Sequence, residues 1–185
     1  MNIKNQLAHI SKLSCELALL DINNYIGVHN DAAFLEVKVN NDTNFSICDD
    51  LNIFIRDGQF NCSLSTINSL SDHRKKGNEW NESLLNAIKL KFSTVKNITV
   101  IRDEYPRYCL ISVCKKFTIP DDVSDDFYTS VANELIEFLS TVEALVPEII
   151  EQAKKDEIHA EYFRQKEFVE NYEKQQNGLP LGEAL

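Results

Sequence analysis

The sequence predicts an α+β fold: an antiparallel sheet of five to six strands, helices packed on one face, and a long C-terminal helix. Three observations carry that prediction. Apolar residues recur at steps of three and four in three separate stretches, which is the period of an amphipathic helix. Between them lie runs that alternate apolar and polar, the period of a half-buried strand. One such run turns back on itself at Asp57-Gly58, and hairpin-connected strands before and after a helix make an antiparallel sheet.

Residues 3–20 open the chain as a helix, with Ile3, Leu7, Ile10, Leu13, Leu17 and Leu20 along one side and Asn23-Asn24 at its end. Ala33, Leu35, Val37 and Val39 then alternate with Phe34, Glu36 and Lys38. After Asn41-Asp42-Thr43, Phe45 and Ile47 resume on the same face. Asp57-Gly58 supplies the positive φ angles of a type I′ turn, so Arg56 is expected opposite Gln59. That register sets Ile55 against Phe60, Ile53 against Cys62 and Leu51 against Leu64, all on one face. Turn chemistry and apolar pattern reach the same register independently.

Residues 65–79 read as a polar loop holding the basic cluster Arg74-Lys75-Lys76. Trp80, Leu84, Leu85, Ile88 and Phe92 mark a second helix, with Glu79 and Glu82 near its positive end. Residues 98–102 and 108–117 form a strand pair around Asp103-Glu104-Tyr105-Pro106. The second is almost continuously apolar from Tyr108 to Cys114, as in a strand buried on both faces. Pro120 and the cluster Asp121, Asp122, Ser124, Asp125, Asp126 open the third helix. Its stripe is Phe127, Val131, Leu135, Phe138, Val142 and Leu145, and Pro147 is expected to kink or restart it. The continuation to Gln176 is thinly apolar, and Asn177-Gly178 with Pro180 is a helix stop. The expected organisation is an α+β domain over 1–146, an extended polar helix over 147–178 and a loose tail over 179–185.

The order is helix, four strands, helix, two strands, helix. In outline it is similar to small bacterial secretion chaperones, a resemblance that implies an acidic, dimeric protein closed by an amphipathic C-terminal helix. No residue motif carries the likeness, which is one of outline.

Charge is polarised along the chain. Its 185 residues carry a net charge of −10, but residues 1–120 sum to +1 and residues 121–185 to −11. Seven carboxylates and no Lys or Arg lie in residues 121–146. Such a surface repels phosphate backbones and anionic membranes, so nucleic acid is an unfavourable partner. No stretch approaches the roughly 18 apolar residues of a membrane span. Five cysteines, odd in number and without CxxC spacing, read as reduced residues and point to the cytoplasm.

Five scattered glycines make no phosphate-cradling loop, and there is no Gly-x-Ser-x-Gly elbow. His9, His29, His73 and His159 have no metal-ligand spacing and read as surface or helix-face histidines, so no metal and no cofactor are expected. Leu35-Glu36-Val37-Lys38 resembles the ExK half of the PD-(D/E)xK nuclease motif, in which an upstream Asp and the Glu hold Mg²⁺ and the Lys assists water. Asp31 stands only five residues before Glu36, which leaves no room for the strand-turn-strand between the halves; Asp21 follows a helix rather than a strand.

The sequence therefore favours a non-enzymatic, acidic protein-binding module: a client-specific chaperone, an immunity or antitoxin protein, or an inhibitor of a basic partner. The candidate binding residues are Asp121, Asp122, Glu134, Glu137, Glu143, Tyr162, Phe163 and Tyr172. The alternatives are a small Mg-dependent nuclease using Glu36, Lys38 and Asp21, and a structural subunit of a larger complex. Self-association as a homodimer is compatible with the binding reading.

Overall fold

The computed structural model describes residues 1–38, 47–69, 74–104 and 108–176. Its elements run α1 (Ile3–Leu19), β1 (Asn24–His29), β2 (Ala32–Lys38), β3 (Ile47–Arg56), β4 (Gln59–Ser69), α2 (Arg74–Phe92), β5 (Ile98–Glu104), β6 (Tyr108–Thr118) and α3 (Asp125–Gln176). The six strands form an antiparallel sheet in the order β1-β2-β3-β4-β6-β5. This is the α+β class that the periodicities predict. Phe45, His73, the stop at Asn177-Gly178 and the tail over 179–185 lie outside the described residues.

The Asp57-Gly58 hairpin has the expected register, with Arg56 opposite Gln59, Ile55 opposite Phe60, Ile53 opposite Cys62 and Leu51 opposite Leu64. Both turn residues have positive φ, 51° and 71°. A second turn of the same kind, outside the sequence expectation, precedes it in the chain. Asn30 and Asp31, at φ 47° and 59°, join β1 to β2. β1 itself escapes the alternation test because it is short, holds a glycine, and exposes Tyr25 and Val28 at the sheet edge.

Other boundaries differ from the sequence reading for local reasons. α1 stops before Asn23-Asn24, in a Schellman arrangement: Ile22 N donates to Leu17 O at 3.0 Å and Asp21 N to Ala18 O at 3.1 Å. Asp21 takes the left-handed conformation, φ 58°, that this motif requires. Asn24 then begins β1, its amide donating to Ile22 O at 2.9 Å. At the other end Asn2 caps α1 through its Oδ1, which accepts from Asn5 N at 2.9 Å.

The expected polar loop over 65–79 is largely ordered structure. β4 continues to Ser69 because β6 pairs with it along its whole length, from Gln59–Thr118 to Ser69–Tyr108. α2 starts at Arg74, so the basic cluster lies in a helix and Glu79 and Glu82 fall beyond its first turn. Glu82 instead pairs with Arg102 of β5. α3 continues as one helix through Pro147.

The helices cover one face of the sheet. α1 packs on β1 and β2, and α2 lies against α3 and the β4 and β5 strands. The N-terminal part of α3 reaches the sheet centre, where Phe127 stacks on Phe60 with ring centroids 6.3 Å apart. Leu13, Leu17, Leu35, Ile53, Phe60 and Leu135 are fully buried in this layer, each contributing roughly 1.5–3 kcal/mol. Burial on α3 continues past Pro147 to Ile149 and Ala153.

Candidate functional site

Helix α3 carries most of the candidate residues, and its first half is anchored on one side. Residues 121–153 hold nine carboxylates and no Lys or Arg, while the core side of the same stretch buries Val131, Leu135, Phe138, Val142 and Val146. The carboxylates are therefore held outward by the packing of the opposite side.

They do not form one patch. Glu134 Oε2 lies 3.1 Å from Lys115 Nζ on β6, and Glu148 Oε2 lies 2.5 Å from Lys91 Nζ on α2. Lys115 is mostly covered, its ammonium 5.1 Å from the centre of the Phe117 ring, so Glu134 has a structural task. Glu143 stands nine residues beyond Glu134, about half a turn around the helix. Among the described residues no ion pair engages Asp121, Asp122, Glu137 or Glu143, and all four are exposed. These carboxylates of the set stand open to solvent.

The remaining candidates, Tyr162, Phe163 and Tyr172, are also exposed, on the part of α3 beyond the core. Tyr162 and Phe163 touch edge to face, with centroids 5.7 Å apart. From Asp125 onward the acidic stretch and the aromatic stretch are thus successive segments of one helix.

Glu36 and Lys38 bond to each other at 2.9 Å on β2. Asp21 serves the α1 stop. Among the described residues no three His, Cys, Asp or Glu side chains come together in a group that could hold a metal ion. His9 is engaged with α3: its Nδ1 lies 2.6 Å from the Tyr128 hydroxyl. Burial, and then the Lys12 charge, hold its pKa below the ordinary 6.5. Burial raises the Cys62 and Cys114 thiols, so neither is poised as a thiolate.

One feature escaped the sequence reading. The face of the sheet away from the helices has a groove of about 490 Å³ lined by Phe54, Ser63, Ile101, Leu110, Ser112 and Cys114, among others. Ser63 and Ser112 of its lining are linked through the buried Ser65, whose Oγ lies 2.7 Å from Ser112 Oγ and 3.3 Å from Ser63 Oγ. Small residues on the central strands and large ones on their neighbours make the surface concave. The signal was present in the alternation Asn61, Ser63, Ser65 and Ser112, Cys114, Lys116. Its meaning depends on which strands are adjacent.

The architecture defines a class, an α+β protein with one helix-covered sheet face and an outsized last helix. No protein-family model matches the chain, and no curated protein matches it. Among solved structures it is similar to that of YbjN from E. coli, a candidate transcription regulator, at 10% identity and a TM-score of 0.50. The match covers 75% of this chain and 92% of that one, a likeness of fold. Among the described residues no helix is long and apolar enough to cross a membrane.

Proposed function

We propose that this protein is a non-enzymatic binding module that docks a protein partner with a basic surface, as a client-specific chaperone, an immunity or antitoxin protein, or an inhibitor does. One observation carries the reading. Residues 121–153, the approach to α3 and its anchored part, hold nine carboxylates and no Lys or Arg; Asp121 and Asp122 just before the helix and Glu137 and Glu143 on it are exposed and without an ion pair among the described residues. A helix fixed along one side presents such charges without further ordering, which favours fast encounter with an opposite charge. The YbjN likeness is compatible with this and adds nothing about the partner.

The test is capture of the partner with the full chain, followed by crosslinking to locate the contact and kinetics on the purified pair. Glu137→Gln with Glu143→Gln should leave the fold intact and slow association several-fold, with dissociation less affected. Glu134 is left unchanged because its loss would strand Lys115. Unaltered association, with crosslinks confined to other elements, would discard the reading.

A further inference from the structure

Beyond Ala153 the last helix leaves the core and runs to Gln176 with nothing described packed on it. Ile158, Tyr162, Phe163, Phe168, Val169 and Tyr172 lie on this segment, each 51% to 72% exposed. They do not continue the buried stripe. At about 100° per residue, Ile158, Tyr162, Val169 and Tyr172 centre roughly 150° around the helix from the line through Val146, Ile149 and Ala153. The second stripe faces away from the protein's own body.

Its spacing is that of a helix-pairing seam. Ile158, Tyr162, Gln165, Val169 and Tyr172 follow one another at steps of four, three, four and three, the alternation of a heptad repeat. Gln165 is the one polar member, and it costs the seam some stability. Charge changes character here too: residues 154–174 hold five bases and six acids, in contrast to the wholly acidic stretch before them.

We infer that this segment pairs with the same segment of a second copy, in parallel and in register. Three features of the molecule support that occupant. The four apolar side chains of the seam with the stems of Glu161, Gln165 and Lys166 offer roughly 500–700 Å² per copy, approaching the ~800 Å² per partner of a standard interface. In a parallel pair, the flanking Glu161 of one copy comes opposite Lys166 of the other, twice by symmetry. An antiparallel pair centred on Gln165 would set Lys166 against Lys166 instead. Because the seam faces away from the body, two bodies fit on opposite sides of the paired helices. The surface lies beyond the acidic segment on which the proposed function rests, and the inference gives Tyr162 and Tyr172 to self-pairing rather than to the basic partner.

Sedimentation equilibrium of the full chain over a concentration series tests it. The expected result is a monomer–dimer equilibrium with a dissociation constant on the order of micromolar. Val169→Glu should give a monomer of unchanged thermal midpoint. Glu161→Lys and Lys166→Glu should each weaken pairing several-fold, and the two together should restore it to within about twofold. A chain that stays monomeric at about 200 μM, far above that constant, would overturn the inference. So would a dimer that survives Val169→Glu, which places the interface elsewhere. Single charge reversals without effect would overturn the parallel register. A monomer whose stripe instead binds lipid vesicles or another protein would give the surface a different occupant and equally refute self-pairing.

Discussion

Gly27 of β1 lies opposite Phe34 of β2, and the Phe34 ring rests across the space a side chain would fill. A Cβ at Gly27 would come within 2.2 Å of Phe34 Cζ, and the ring already packs edge to face on Tyr25. Gly27→Ala is therefore expected to swing Phe34 off the strand and cost about 1 kcal/mol. In a Phe34→Ala background the same change should be nearly neutral, a coupling that a double-mutant cycle by urea unfolding measures. His9 makes a second residue-scale prediction. Its folded pKa is depressed below 6.5, so the unfolded chain binds more protons in the window just under that value. The contribution is complete above pH 6.5 and is lost as the pH falls through the lower, folded value. His9→Gln should flatten that part of the stability–pH curve, measured by urea unfolding between about pH 7 and pH 5. Neither feature could be read from sequence, since Gly27 and Phe34, or His9 and Tyr128, meet only through pairing and packing of distant elements.

At the scale of elements, α3 contains two regimes in one unbroken helix. Up to Ala153 it is held by core contacts; beyond that point its apolar side chains are exposed and must outweigh roughly 1–2 kcal/mol per residue of backbone ordering by some other contact. Truncation after Glu157 should leave the thermal midpoint within a few degrees of the full chain while abolishing self-association. Truncation after Val146 removes the buried Ile149 and Ala153 and should cost about 3 kcal/mol or more, read from urea unfolding. The strongest local signals, the α1 and α3 stripes and the Asp57-Gly58 turn, were legible because each is complete within a short window. β1 and the far half of β4 were not, because what makes them strands is a neighbour. β1 is completed by β2 through a turn of non-glycine residues, and residues 65–69 by β6 from about forty positions away.

Across the whole molecule, charge and fold divide the work. The excess of acid sits on the last helix, and two of the sheet's cations, Lys115 and Arg102, are engaged by Glu134 and Glu82. If the exposed carboxylates steer a basic partner, raising the salt should slow association before it hastens dissociation, because screening over a Debye length of about 10 Å acts mainly on the approach. Stopped-flow association at two ionic strengths shows this. The sequence by itself determined the class of fold, the central hairpin register, the buried stripes of the helices and the acidic character of the third. All of these rest on periodicity, turn chemistry and composition, which are local. Only the tertiary structure decided which carboxylates are spoken for, where the sheet is concave, and that the aromatic stripe of α3 points away from the core. Those depend on which strands are neighbours and where the core ends, and side-chain alternation is silent on both until the chain has folded.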